Sequence, residues 1–391
     1  MKVGIDISAI IYGTGVSNYT QELINHLEPL VDLKTFKFSR YPLMVMEFIW
    51  NRLHIVNVET FTGPIDIYHS SDWTQAPSKA KKVTTVHDLS PFLYPTEVDP
   101  KIVEVHTAKM KWAVKECDAF ICVSQSTASD LRRLFNIHPD KIHVIYEAMP
   151  SNHKLVPQIT KYSNYIMAVG ARQPRKNIDR LIKSCQLLNQ KLIIVGEPPS
   201  NQLTNNQVTY TGYVSDQDLV NYLAAASAFV YPSIYEGFGL PILEAFYHKV
   251  PVACSNTSSL PEVAGDAAIY FNPYNIEQMA KAITEAIKNK EKLVEAGKVL
   301  DAYFWVAIEV SGTEVTKVEN LITKEASTHQ KKKILRAYIL FPNQSEINKI
   351  YPGANYVSYA AGLSAAIFAA SIPSLSKKGV YPPEALEVTE R

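Results

Sequence analysis

Cysteine is scarce in this 391-residue chain: four residues, Cys117, Cys122, Cys185 and Cys254, scattered along it. That excludes a disulfide framework and a four-ligand zinc site. Net charge is nearly absent as well, with 39 Lys plus Arg against 38 Asp plus Glu. A formal charge of +1 gives no global attraction to nucleic acid or to an anionic membrane, so no nucleic-acid partner is expected. The first ten residues lack the long apolar stretch and small-residue cleavage site of a secretory signal, and a cytoplasmic protein is the expectation. What is present is ordinary globular composition, 47% apolar and 20% charged, at a length that suggests two domains with a remainder.

Short β-type runs alternate with helical patterns over the first 120 residues. Lys2–Ile7, Ile65–His69, Lys82–Val86 and Ala119–Val123 read as strands, and Val16–Leu27 as a helix behind the turn Gly13-Thr14-Gly15. Thr127 with Asp130 predicts a capping box before Leu131–Phe135. Around Pro150–Asn164 the pattern loosens into a linker. A second alternation follows, with strands at Tyr165–Val169, Leu192–Val195, Val208–Tyr210, Ala228–Tyr231 and Val250–Ala253. Its helices are Asn177–Leu188, Asp216–Ala226, Leu240–Tyr247 and Ile276–Lys290. The reading is α/β, with two Rossmann-like parallel-sheet domains (1–155 and 160–302) facing across a cleft, plus an atypical tail over 303–391. Ligands of such folds sit at the carboxyl ends of the strands.

Two loops at those ends carry the chemistry. The stretch from Tyr231 through Glu236-Gly237-Phe238-Gly239-Leu240 to Glu244 leaves a strand, turns on two glycines and enters a helix with Pro241 in its first turn. Helix starts present unpaired N–H groups and partial positive charge, and glycines let a phosphate approach the backbone. Glu244 lies one turn inside, within reach of a sugar hydroxyl, and Glu236 faces the cleft. A plain strand–turn–helix connection with two surface glutamates is the structural alternative. The second loop, Gly170 to Asn177, offers Arg175 as a planar fork and Lys176 as a mobile charge, suited to stabilising a diphosphate as its bond breaks. A basic pair is more often a solvated loop, and only its position opposite the glycine turn argues otherwise. Asn177 is read as a helix cap. In the first half, Gly13-x-Gly15-x-x-Asn18 departs from a dinucleotide fingerprint, which weakens a dehydrogenase reading. His87-Asp88 ends a strand where a histidine could contact a sugar.

Over about residues 1–305 the chain resembles family 4 glycosyltransferases of the GT-B architecture. The resemblance rests on Glu236-x7-Glu244 within Pro232-Ser-x-Tyr-Glu-Gly-Phe-Gly-Leu-Pro241, on Val250-Pro-Val-Ala-x-Ser255 and on Leu260-Pro-Glu-Val-Ala-Gly-Asp266. It is joined by Val86-His-Asp-Leu89, Val123-Ser-x-Ser126, Pro174-Arg-Lys-Asn177 and Thr211-Gly-Tyr-Val-Ser215. It implies retaining, metal-independent transfer of a sugar from a nucleotide diphosphate sugar to a hydroxyl of a glycan or lipid-linked acceptor, with no cofactor. By position, Arg175 and Lys176 would neutralise the departing diphosphate, helped by the backbone amides of Gly239 and Leu240. Glu244 would bind the ribose, Glu236 the donor sugar's hydroxyls and His87 the transferred sugar. Gly15 would lie near the diphosphate, Gly212-Tyr213 beside the base, and Gly237 and Phe238 belong to the same donor loop. The Arg-Lys-Asn and Val-His-Asp-Leu variants look most like the mannosyl- and rhamnosyltransferase branches, which points to GDP-mannose.

Departures are also visible. Lys249 replaces a usual glycine, and Tyr146-Glu147-Ala148 replaces a commoner Asn-Gly turn, which alters the hinge or the cleft floor. The family's closing helix after Phe304-Trp305 is absent; Val306–Val310 reads as a strand. Ala360–Glu384 resembles the end of saccharopine dehydrogenase-like reductases without their cofactor domain, and a structural tail is the expectation. Tyr351–Ser376 is long enough to span a membrane but too polar. Lys109, Lys111, Trp112 and Lys115 form a basic stretch able to touch an anionic membrane, although an ordinary exposed helix accounts for it better. The rival functions are a sugar-nucleotide epimerase or phosphorylase of the same architecture and a non-catalytic sugar-nucleotide binder.

Overall fold

The computed structural model describes residues 1–12, 15–147, 149, 163–170, 172–198 and 207–297, together with the backbone of three strands farther on. Two six-stranded, wholly parallel sheets dominate it. The first contains β1 (Lys2–Asp6), β2 (Asp32–Phe36), β3 (Ile67–Ser70), β4 (Lys81–Val86), β5 (Ala119–Cys122) and β6 (Ile142–Val144), in the order β2-β1-β3-β4-β5-β6. The second contains β7 (Tyr165–Val169), β8 (Lys191–Val195), β9 (Val208–Tyr210), β10 (Ala228–Tyr231), β11 (Val252–Ser255) and β12 (Ala268–Phe271), in the order β12-β11-β10-β7-β8-β9.

Parallel strands need crossovers, and the crossover helices cover both faces of each sheet. On the first sheet, Val3, Ile5, Ile67 and Val83 pack against Leu23 and Leu27 of the helix Gly15–Leu27. Its other face puts Val86, Phe120 and Cys122 against Met110, Ala113 and Leu131. In the second sheet Ile166, Ile194 and Val230 face Leu181 and Ile283, while Met167, Phe229 and Val252 face Leu223 and Ile242. In each sheet the order reverses beside the first strand of its domain, and the loops at the carboxyl ends of the two sheets meet.

Several boundaries move from the sequence-based expectation. The strand expected at Val250–Ala253 begins at Val252, because Pro251 has no N–H to give the ladder and its carbonyl instead accepts from Phe229. The capping box sits three residues earlier than expected. Ser124, extended at φ −157°, accepts the Thr127 N–H at 3.0 Å, so the helix runs Gln125–Phe135. The helix expected at Asp216–Ala226 ends at Ala224. A 17-residue helix, Pro100–Glu116, starts behind an Asp99 cap and carries the basic stretch.

Lys109 of that stretch is turned inward and buried, because Cys117, Ala113 and Met110 draw this face of the helix onto the sheet. An exposed four-residue basic face is therefore corrected to Lys111 and Lys115 beside a half-buried Trp112. Val306–Val310 lies within β13 (Trp305–Glu319), which pairs antiparallel with β14 (Ala326–Leu340) and with β15 (Val380–Tyr381). Gly13-Thr14, the linker from 150 to 162, Tyr351–Ser376 and all of Ala360–Glu384 but β15 lie outside the described residues. Among the described residues no helix is long and apolar enough to cross a membrane.

Candidate active site

After β7 the chain forms a single 3-10 turn, Pro174–Lys176, and leaves it through Asn177 at φ +58°. Asn177 makes no side-chain cap bond, which corrects its expected role. Its amide donates instead to the carbonyls of Pro232 (3.1 Å) and Pro273 (2.7 Å), tying together the loops after β7, β10 and β12. The Ile234 N–H donates to the Arg175 carbonyl at 2.7 Å, so the two loops singled out in the sequence are zipped side by side.

Their side chains converge on one carboxylate. Lys176 Nζ lies 2.6 Å from Glu236 Oε1, and Arg175 NH1 lies 3.1 Å from Oε2. Arg175 also donates to the Tyr235 carbonyl at 2.9 Å, and Lys176 to the Tyr231 hydroxyl at 3.1 Å. Arg175 and Glu236 are each only 8% exposed. Burial alone would raise the Glu236 carboxyl, but Lys176 and Arg175 outweigh it and bring it down to about 2. Among the described residues the buried Nε of Arg175 has no partner, one donor left unused in the fork.

The glycine turn divides its labour. Gly239, at φ +125°, heads the helix Leu240–Tyr247 without a side-chain cap, a conformation only glycine takes readily. Pro241 has no N–H and Ile242 gives its own to the Gly239 carbonyl at 2.9 Å, so in this turn the Leu240 N–H is the one turned to an incoming anion. Gly237 serves closure. A Cβ there would sit 1.7 Å from the His87 carbonyl oxygen, and its own carbonyl accepts from Ser124 Oγ (2.6 Å) and Thr127 Oγ1 (3.0 Å) of the first domain. Phe238 is buried in the seam between the domains with Val123, Met149 and Leu243, and Leu240 packs against that cluster.

Glu244, part-exposed one turn into the helix, has its carboxyl pushed up to about 7 by burial, with Asp216 adding to the rise. Across the seam, His87 Nδ1 lies 2.7 Å from Glu147 Oε1, and its ring meets Tyr19 edge-on at 4.7 Å. Burial would lower the His87 pKa, yet the Glu147 hydrogen bond and charge raise it. Gly15 opens its helix, and among the described residues nothing lies within 4 Å of a would-be Cβ. Gly212 takes φ +69°, Tyr213 is 89% exposed, and the Tyr213 backbone N–H donates to Glu197 at 3.4 Å. Arg175, Lys176, Glu236 and the Gly239 helix start thus share one place. His87 touches that loop through its backbone, and among the described residues no hydrogen bond joins Gly212-Tyr213 to the cluster.

Sequence reasoning missed several participants. Tyr235 receives the Leu89 N–H at 3.2 Å, and Ser258 and Ser259 hold the Glu236 carbonyl. Glu262 accepts the N–H groups of Gln125 (2.8 Å) and Ser126 (3.0 Å) across the seam. A cavity of about 480 Å³ lies beside this contact, lined by Gln125, Ser129, Tyr146 and Ser258 among others, rather than by the cationic pair. Glu147 had a signal: it stands in the turn flagged as a departure.

Comparison with known proteins gives the same division of the chain. Residues 13–150 match the family described as Glycosyltransferase Family 4, and residues 152–299 match Glycosyl transferases group 1. The chain is 34% identical over 250 residues to O-antigen chain mannosyltransferase B of Escherichia coli, covering 57% of this chain and 65% of that protein. It is 33% identical over 232 residues to O-antigen chain mannosyltransferase RfbU of Salmonella typhimurium, covering 56% and 64%. The chain thus spans just under two thirds of the length of these relatives. Among solved structures, sucrose-phosphate synthase from Thermosynechococcus elongatus superposes with a TM-score of 0.56 at 16% identity, covering 76% of this chain and 94% of that one, a likeness of GT-B fold alone. Over residues 13–299, the chain belongs to the family 4 glycosyltransferases.

Proposed function

We propose that this chain transfers mannose from GDP-mannose to a hydroxyl of a glycan or lipid-linked saccharide, with retention of anomeric configuration and without a resident metal or cofactor. The observation that carries the reading is the convergence of Arg175 and Lys176 on a buried anion seat beside the Gly239 helix start. Mannose is supported by the names of the relatives, both of which are mannosyltransferases.

In this reading the bond from the anomeric carbon to the diphosphate oxygen breaks, and charge grows on the departing phosphate. Arg175 and Lys176 meet that charge from fixed positions, which costs no reorganisation as the bond breaks. The acceptor oxygen bonds to the anomeric carbon from the same face, and its proton passes to the departing diphosphate. The Glu236 carboxylate lies in the seat, bonded to Arg175 and Lys176. A diphosphate displaces it, and the freed carboxylate turns to the sugar hydroxyls. Glu244 takes the ribose, the amides of Gly239 and Leu240 take phosphate oxygens, His87 takes the transferred sugar, Gly15 lies near the diphosphate and Gly212-Tyr213 borders the base. The enzyme works in the cytoplasm, in peripheral contact with a membrane.

Thermal shift and calorimetry with GDP, UDP, dTDP and ADP test the donor, followed by NMR of the product formed from GDP-mannose and a panel of mannosides. GDP is expected to stabilise the protein most, and the product to be an α-mannoside. An inverted product, or conversion of GDP-mannose that proceeds equally without acceptor, overturns the reading.

A further inference from the structure

Lys109 projects inward from the helix Pro100–Glu116 and is only 2% exposed, yet among the described residues its ammonium makes no hydrogen bond and no ion pair. Burying an ammonium without a partner is costly, and an unmatched charge in a cleft marks a functional site. Its nearest carboxylate is in the same condition. Asp72, two residues past the end of β3, accepts no hydrogen bond among the described residues, and its Oδ2 lies 3.9 Å from His106 Nε2. Asp72 and His106 are both part-exposed, so this pair is open to the cleft.

The groups lie close enough to act on one another. Burial would raise the Asp72 carboxyl, but the charges of His106, Lys109 and His87 outweigh it and bring it down. Burial lowers the Lys109 pKa, with Asp72 and then Asp6 among the charges opposing it. Asp72 and Lys109 also act on His87, the residue that takes the transferred sugar in the reading above. Asp6 differs from Asp72 in being filled: its two oxygens hold the Ser8 N–H at 2.9 Å and the Thr74 hydroxyl at 2.8 Å. The loop that carries Asp72 is fixed by Asn51, whose amide donates to the Trp73 carbonyl at 2.8 Å, and the Trp73 ring centre lies 5.4 Å from that of His106.

We infer that Asp72 and Lys109, with His106 beside Asp72, bind two neighbouring hydroxyls of the acceptor saccharide and so select the sugar that is extended. The inference rests on the transferase reading above and names the side chains that read its acceptor. A vicinal diol gives the carboxylate a donor and the ammonium an acceptor at once, which fills both unpartnered groups. An acceptor phosphate is disfavoured here. One ammonium faces two carboxylates, burial pushes the His69 pKa down to about 3 and lowers that of His106, and His87 is paired with Glu147.

The test uses the full chain with GDP-mannose and the methyl glycosides of mannose, rhamnose, galactose and N-acetylglucosamine, followed by singly deoxygenated forms of the best acceptor. A site built to hydrogen-bond a hydroxyl rejects the analogue that lacks it, so wild type should lose at least tenfold in kcat/KM at each of two adjacent positions. Asp72→Asn and Lys109→Met should each raise the acceptor KM at least tenfold and discriminate those deoxy forms less than threefold. The KM for GDP-mannose and the GDP-induced thermal shift should stay as in wild type. His106→Gln should raise the acceptor KM by a smaller factor, and it keeps the test open should Lys109→Met melt early. Altered melting with unchanged acceptor KM and unchanged deoxy selectivity would make the cluster structural and overturn the inference. A raised KM for GDP-mannose instead would assign the cluster to the donor sugar and overturn it too. A wild-type protein that GDP stabilises but that neither binds nor extends any of these glycosides overturns it while leaving the donor reading in place.

Discussion

Glu236 and Glu244 come from one short stretch of chain, yet their surroundings are electrically opposite. Glu236 lies between two cations, and its carboxyl falls to about 2. Glu244 lies one turn inside the helix that follows, where burial and Asp216 push its carboxyl up to about 7. The difference separates two tasks. A permanent negative charge held between two permanent cations, which it does not fully neutralise, is a seat built for exchanging anions. A carboxylate near its titration point is a hydrogen-bond acceptor whose strength follows pH. Motif spacing brings both to the cleft, but only their neighbours decide which does what.

The largest expected effect comes from breaking the first environment. Lys176→Ala and Arg175→Ala should each lower turnover by about 10²–10³, the scale for losing one fixed donor to developing charge. Sequence alone suggests little structural cost, and the structure changes that expectation. Both side chains belong to an ion cluster on a buried carboxylate, but Glu236 keeps the second cation when one is removed, so each loss costs less than the ~3–5 kcal/mol of leaving a buried charge unpaired. Glu236→Gln sharpens the contrast, since it keeps the shape and frees the seat. It should bind GDP more tightly while transferring mannose more slowly. Calorimetry and GDP-release kinetics read both. Wild-type turnover in the two alanine variants would mean that the leaving group is stabilised elsewhere.

Gly237→Ala tests whether the seat needs the other domain. The added methyl meets the His87 backbone carbonyl at 1.7 Å, an atom that cannot turn aside as a side chain would, so the seam must open. A displacement on the ångström scale at the reacting groups costs roughly 10²-fold in turnover. Small-angle scattering should show a larger radius of gyration than wild type, with the Ser124 and Thr127 bonds to the Gly237 carbonyl lost. An unchanged radius together with full activity would place closure outside the mechanism.

Much of this was legible before the structure. The strands Val208–Tyr210 and Ala228–Tyr231 and the helix Leu240–Tyr247 were read to the residue, because buried parallel strands are unbroken apolar runs bounded by turn residues. Arg175, Lys176 and Glu236 stood out as charges at strand ends. That they bond to each other was hidden, since charge type is local information and pairing depends on the crossover of β7 beside β10. Gly237 was legible as a glycine but not as a hinge face, because the atom it makes room for lies 150 positions away in the chain.

The smallest effect separates the second carboxylate from the first. The folded-state carboxyl of Glu244 is raised from 4.5 to about 7, so between those values the unfolded chain gives up a proton that the folded one keeps. Stability therefore falls as pH rises from 4.5 to 7, by on the order of 2–3 kcal/mol, and is level above that. Glu236 works in the opposite direction: its contribution is present above 4.5 and is lost as pH falls toward 2. Glu244→Gln should flatten the first slope, raising Tm by about 5 °C at pH 8 and leaving it unchanged at pH 4.5. If the ionised carboxylate holds the ribose, the same variant should bind GDP about tenfold more weakly at pH 8, with the gap closing toward pH 5.5. Equal GDP affinity across that range would remove Glu244 from the donor site and leave Glu236 and its cations as the whole of the anion seat.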